Sequence, residues 1–298
     1  MGLTKPFAFM GAGAAGGPWD PSLGGTYSVE HHWDFTDTET MTFGGTGVSG
    51  SEVATITDKV GSITFQPVNG PSGNATQITT TGSFSTSHNA TYLSGSPYQN
   101  YNGGTYNWLP TNAVRHNNDW TVLCLAGNED WTRYSTNTPR ALWYARSDES
   151  NGWNNLLSFM MYNQAWIAQT CSGSGNWRYG VGVYDGNWGT SGQQPMMMKF
   201  GSAPESMDNP GAYFMAHDKV SGDGERYDIQ LNDNPECFLV RPTNTIGAGE
   251  GLTIGGGPIG LDEKNSFEGM MYHFVVYDEY LDKTARDAVY DSWYAHFN

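Results

Sequence analysis

The most constraining stretch of this chain is FEGMMYHFVVYDEYLDKTARDAV, Phe267 to Val289, because its hydrophobic period changes in the middle. From Phe267 to Tyr277 both parities are apolar: Phe267, Met271, Val275 and Tyr277 on one side, Met270, Tyr272, Phe274 and Val276 on the other. That pattern predicts a strand covered on both faces. After Asp278 the spacing becomes helical, with Leu281, Ala285, Val289, Trp293 and Phe297 recurring every fourth residue as one stripe and Asp282 placed to cap the helix. A single helix cannot bury such a stripe alone, so it is expected to lie back against the sheet that the preceding strand belongs to.

Elsewhere the period is two. DWTVLCLAG alternates Trp120, Val122 and Cys124 with Thr121, Leu123 and Leu125, and YSVEHHWDF places Tyr27, Val29, His31, Trp33 and Phe35 opposite Glu30, His32 and Asp34. RYGVGVYDGNW, RYDIQLND, ECFLVRP and GLTIGG read as shorter strands bounded by turn residues. Many short strands with one terminal helix predict an all-β sandwich or barrel. At 298 residues, a single large sandwich accounts for the length.

Charged residues make up 15% of the chain, and the net charge of -16 opposes close approach to phosphate backbones or anionic lipid, so neither nucleic acid nor membrane is an expected partner. Cys124, Cys171 and Cys237 lack the spacing of a zinc site or a disulfide scaffold, and buried free thiols are expected. The opening MGLTKPFAFMGAGAAGGPW imitates a secretory signal, but Pro6 and the glycine run make a poor helical segment. It is read instead as an extended arm, residues 1–25, with Pro6, Phe7, Phe9 and Met10 as assembly contacts to a neighbouring subunit.

The order of parts resembles the concanavalin A-like lectin/glucanase fold in its laminin-G-like form. Leu252 to Gly256 (LTIGG), Phe267 and Gly269, Tyr277 and Asp278, Leu281 and Asp282, then Arg286 are similar to that family's closing pattern, and HWDFTDTETMTF…VATITDKVGS, His32 to Ser62, resembles the opening of laminin-G-like modules in tailed-phage structural proteins. The resemblance implies a jelly-roll sandwich of two antiparallel sheets over residues 26–298, with one C-terminal helix. Together with the N-terminal arm and the lack of a catalytic strand, the resemblance to phage modules points to a non-enzymatic virion protein, a capsid decoration or tail component on the particle exterior whose jelly roll binds host-surface glycans, assembled with other virion subunits as a homo-oligomer or within a larger assembly.

Glucanases of this fold carry alternating carboxylates on one strand, and no E-x-D-x-E run occurs here; NEDW, SDES and LDEKNSFE fall in turns. Catalytic residues are therefore not assigned, and a glycoside hydrolase is the weakest alternative. A free-standing lectin is the stronger one. Stacking on sugar rings would fall to Tyr98, Tyr101, Tyr106, Trp108, Trp153, Trp177 and Trp188, aromatic residues in polar tracts, although such rings also suit loop stapling or subunit contacts. PMMMKF suits an adaptable apolar contact. No complete metal-ligand set is present and no cofactor is expected. Glu30, His32 and Asp34 share a strand face, while Asp148, Glu149 and Asn151, or Asp185 and Asn187, offer oxygen ligands for calcium.

Overall fold

The computed structural model describes residues 18–45, 48–61, 63–67, 77–79, 90–94, 98–100, 118–128, 140–146, 156–163, 169–172, 179–184, 196–200, 210–221, 224–241, 251–255 and 267–297. The strands in chain order are β1 (Val29–Asp34), β2 (Met41–Gly45), β3 (Val48–Thr57), β4 (Thr64–Pro67), β5 (Gln77–Thr79), β6 (Ala90–Ser94), β7 (Tyr98–Asn100), β8 (Trp120–Asn128) and β9 (Arg140–Arg146). There follow β10 (Leu156–Asn163), β11 (Gln169–Ser172), β12 (Tyr179–Tyr184), β13 (Met196–Phe200), β14 (Gly211–Ser221), β15 (Gly224–Leu231), β16 (Cys237–Arg241), β17 (Gly251–Ile254) and β18 (Glu268–Tyr277). The helix α1 (Lys283–Phe297) closes the chain.

Two sheets result. The first runs β16-β15-β14-β8-β18, and the far edge of β18 is shared by β1 and by β6, which leads on to β5 and β3. The second runs β2-β3-β4-β7-β17-β9-β10-β12-β13-β11. These pairings are antiparallel except β11 with β13, and β3 is long enough to pair in both sheets. The protein is thus an all-β, jelly-roll-like sandwich with one C-terminal helix.

Strand alternation sorts the first sheet's side chains into two cores. Val122, Cys124, Ala126, Tyr213, Met215, Ile229, Phe274 and Val276 point inward, against Met41, Val53, Ile56, Leu142, Trp143, Phe159 and Ile254 of the second sheet. Leu123, Leu125, Ala212, Phe214, Met270, Tyr272, Val275 and Tyr277 form the opposite face, and Leu281, Val289, Trp293 and Phe297 cover it. The terminal stripe is therefore a cover over the sheet's outer face. Its N-terminus is capped as expected: Asp282 Oδ1 accepts from the Ala285 N–H at 2.8 Å.

Two expectations of face are corrected by β-bulges. In β18 the register slips between Met271 and His273, so Tyr272 and His273 both lean toward Phe297, at ring-centroid distances of 6.2 and 5.7 Å. As a result Met270 and Tyr272 share a face with Val275 and Tyr277, whereas simple alternation groups them with Phe274 and Val276. In β1 the slip between Val29 and His31 puts Tyr27 and Val29 on the helix side and Trp33 and Phe35 between the sheets. A bulge adds one residue and inverts the parity beyond it, which a period count cannot register. Cys124 is a buried free thiol as expected, but Cys237 is disulfide-bonded, because pairing depends on strands brought together from afar. Within the expected arm, Pro18 to Gly25 folds back on the domain: Trp19 packs in the core under the helix, and the Tyr277 hydroxyl donates to the Pro21 carbonyl at 3.1 Å. Pro6, Phe7, Phe9 and Met10 lie outside the described residues.

The helix is also anchored by charge. Arg286 is fully buried, and its guanidinium donates to Gln230 Oε1 at 2.9 Å, the Leu281 carbonyl at 3.0 Å, Asp228 Oδ2 at 3.3 Å and Glu236 Oε2. Removing one partner of such a buried pair leaves the other uncompensated. Arg286→Ala is therefore expected to cost about 3–5 kcal/mol in urea unfolding. Lys283→Ala, which removes a half-exposed i,i+4 pair with Asp287, should cost about 0.5 kcal/mol or less. Equal losses would mean that Arg286 does not anchor the helix.

Candidate functional site

The residues that best combine chemistry with position lie under the helix, where β1 and β18 run side by side. Asp34 sits directly opposite His273 and His32 opposite Val275, and His273, in phase with Val275 and Tyr277 and paired with Leu125, points to the helix side. His32 Nε2 and His273 Nδ1 are 3.1 Å apart, and His273 Nδ1 is 3.4 Å from Asp34 Oδ1. All three side chains are buried. Trp19 closes the cluster from the N-terminal side, its ring 5.0 Å from His273 and 6.1 Å from His32, and Phe297 closes it from the helix.

Burial sets the charges. It pushes the pKa of His32 down to about 4 and that of His273 down to about 3, against the pull of Asp34, so both imidazoles are neutral at physiological pH. Burial opposes the charge on Asp34 too, but His273, His32, the Thr36 hydroxyl and Lys59 outweigh it and hold the carboxyl well below its usual range. Its two oxygens divide the work. Oδ2 accepts from Lys59 Nζ at 3.1 Å, and Oδ1 accepts from the Thr36 N–H at 3.0 Å and hydroxyl at 2.6 Å.

The neighbouring TDKVG turn holds β1 in place. Asp58 accepts from the backbone N–H groups of His32 and Val60 at 2.8 and 2.9 Å and pairs with His31 Nδ1 at 2.6 Å. Burial disfavours charge on His31, but its bonds to Asp58 and Glu30 prevail and push its pKa up to about 9. Lys59 bridges Asp34 and Asp37, and its N–H bonds the His32 carbonyl. The D-K-x-G motif therefore serves to position the strand.

Of the residues singled out by sequence, His32 and Asp34 do meet, and Glu30 does not join them: it lies 3.6 Å from His31 Nε2. His273 was missed, being 241 residues from His32, with no local pattern linking the two. Tyr98 belongs to strand β7, its backbone paired with Pro67 and Ile254. Tyr101, Tyr106, Trp108, Trp153, Trp177, Trp188, Asp148, Glu149, Asn151, Asp185 and Asn187 lie outside the described residues. PMMMKF supplies β13, at the end of the second sheet between β12 and β11.

No protein-family model and no curated protein matches the chain. Solved structures do. A mutant GH54 α-L-arabinofuranosidase soaked with 4-nitrophenyl α-L-arabinofuranoside superposes with a TM-score of 0.58 at 12% identity, covering 94% of this chain and 65% of that one. An arabinofuranosidase complexed with arabinofuranosyl-α-1,2-xylobiose gives the same TM-score and coverage at 13% identity. Domain 4 of the GH43 extracellular arabinanase AbnA from Geobacillus stearothermophilus, in complex with arabinotriose, is similar with a TM-score of 0.49 at 12% identity over 88% of this chain and 98% of that domain. The chain shares its β-sandwich architecture with these arabinofuranosidases.

At Gly61 an added Cβ would fall 2.6 Å from Asp58 Oδ2 and 3.4 Å from His31 Nδ1. Gly61→Ala should therefore displace the Asp58 carboxylate from its bonds to β1 and cost about 1–3 kcal/mol in a denaturant melt. A loss below about 0.5 kcal/mol would mean that the turn does not position His32 and Asp34.

Proposed function

We propose that this protein is a non-catalytic, glycan-binding jelly roll borne on the exterior of a tailed-phage particle. The observation that carries the non-catalytic part is the use made of its buried carboxylates. Among the described residues these are Asp34, Asp58, Glu225 and Asp228. Asp34 pairs with Lys59, Asp58 with His31, and Asp228 with Arg226 and Arg286; Glu225 accepts from the Tyr227 hydroxyl at 2.9 Å. Hydrolysis of a glycosidic bond requires two carboxyl groups free to face substrate across a groove. These four are occupied in holding strands together.

Glycan binding is supported by the architecture shared with the arabinofuranosidases and by the polar, aromatic tracts around Trp108, Trp153, Trp177 and Trp188. Placement on a phage is supported by the resemblance of His32 to Ser62 and Leu252 to Arg286 to laminin-G-like modules of phage structural proteins. The net charge of -16 suits a partner other than nucleic acid.

On a glycan array, Trp153→Ala or Trp188→Ala should lower retention at least about tenfold while leaving the melting temperature within about 1 °C. Parallel losses of retention and stability would make those rings structural. Release of 4-nitrophenol from aryl glycosides above background would overturn the non-catalytic reading. Mass spectrometry of particles purified from a lysate that encodes this chain should find it, and a chain lacking residues 2–17 should be absent from particles while melting normally. Its absence from particles at full length would sink the virion placement and leave the glycan result standing.

A further inference from the structure

We propose that His32 Nε2, Asp34 Oδ1 and His273 Nδ1 together hold a divalent transition-metal ion of the zinc class, at a structural site between the outer face of the first sheet and the terminal helix. This site is independent of the glycan-binding reading. Three observations carry it.

The first is convergence. The three donor atoms lie within 4.8 Å of one another, and this group is the one set of three or more such residues found among the described residues. Zinc bonds nitrogen and carboxylate oxygen at about 2.0–2.1 Å, so neighbouring donors of a tetrahedral ion stand about 3.3–3.4 Å apart. The pairs measured here, 3.1 and 3.4 Å, lie close to that edge length.

The second is the protonation pattern. Two N–H groups cannot point at each other across 3.1 Å, so at least one of the two facing nitrogens presents a lone pair to the centre. His273 is buried, and its other nitrogen, Nε2, has no hydrogen-bond partner, so its polar contacts are confined to the Nδ1 side. Ligation at Nδ1 fixes the ring and places the remaining proton on Nε2.

The third is the surrounding shell. Lys59 occupies only Oδ2 of Asp34, leaving Oδ1 turned toward His273, and the Thr36 N–H and hydroxyl orient that oxygen. Hydrogen-bonded carboxylates of this kind are the usual support for a metal ligand. Two nitrogens and one oxygen select a borderline-soft ion over calcium, which takes six to eight oxygens. An ion here would bridge β1 and β18 beneath Trp19 and Phe297, coupling metal uptake to the pairing of these two strands.

The test uses the full chain, stripped with chelator in denaturant and refolded with one equivalent of Co²⁺, Zn²⁺ or Ca²⁺, since a buried site fills during folding. Co²⁺ should give visible d–d bands of a nitrogen- and oxygen-ligated ion at a stoichiometry near one. Zn²⁺ at about a hundredfold over its dissociation constant should raise the melting temperature by roughly 5 °C, and Ca²⁺ should not. His32→Gln and His273→Gln should each abolish the cobalt bands and weaken Zn²⁺ binding at least tenfold, whereas Glu30→Gln should leave both intact. If His273→Gln does not fold, His32→Gln and the wild-type spectrum decide the matter. Wild-type protein without cobalt bands and without a zinc-dependent shift overturns the proposal. So do histidine variants that bind as wild type does, because the ion then sits elsewhere.

Discussion

A β-sheet that is apolar on both faces must be covered twice, and the rest of this molecule follows from that requirement. β8, β14 and β18 carry large side chains in both directions. The second sheet shields one face and α1 the other. Burial of this kind contributes about 25 cal/mol for each Å² of apolar surface removed from water, with no demand on direction. It explains why a chain dominated by strands ends in a single helix immediately after its most apolar strand. A helix of 15 residues is only marginally stable by itself in water, and it is held by the surface it hides.

Covering a sheet with a helix creates an interface in which polar groups must be satisfied within the protein. Two polar clusters lie at its opposite ends. Toward the N-terminus of α1, Arg286 is surrounded by Asp228, Glu236, Gln230 and the Leu281 carbonyl. Toward the C-terminus, His32, His273 and Asp34 meet beneath Phe297 and Trp19. Buried ionic groups add little net stability compared with well-packed apolar ones, but each is costly to leave half-paired. The Arg286 network thereby fixes the rotation and axial position of a helix that apolar contact alone would hold less specifically. The same demand explains the tight TDKVG turn, where Asp58 and Lys59 bind the backbone and side chains of β1.

Much of this architecture was legible in the residues. The alternation of Trp120 to Leu125, the fourth-residue stripe from Leu281 to Phe297 and the Asp282 cap each express a local rule, and local rules survive in the folded state. The faces of Met270, Tyr272, Tyr27 and Val29 were not legible. Each lies beside a bulge, and a bulge is decided by the partner strand. The disulfide at Cys237 escaped for a similar reason. The HHWD face announced two ligand-type side chains but not the third, which arrives from the far end of the chain.

The sequence by itself determined the class of fold, because periodicity of two and of nearly four are consequences of backbone geometry that each segment carries alone. It also determined that one strand would be buried on both sides and that the following helix would cover it. Only the tertiary structure decided which polar residues meet. Antiparallel pairing of β1 with β18 sets Asp34 opposite His273 and His32 opposite Val275, so side chains 241 residues apart in the sequence meet on the helix side. Register across strands is a property of pairs, and no single segment encodes it.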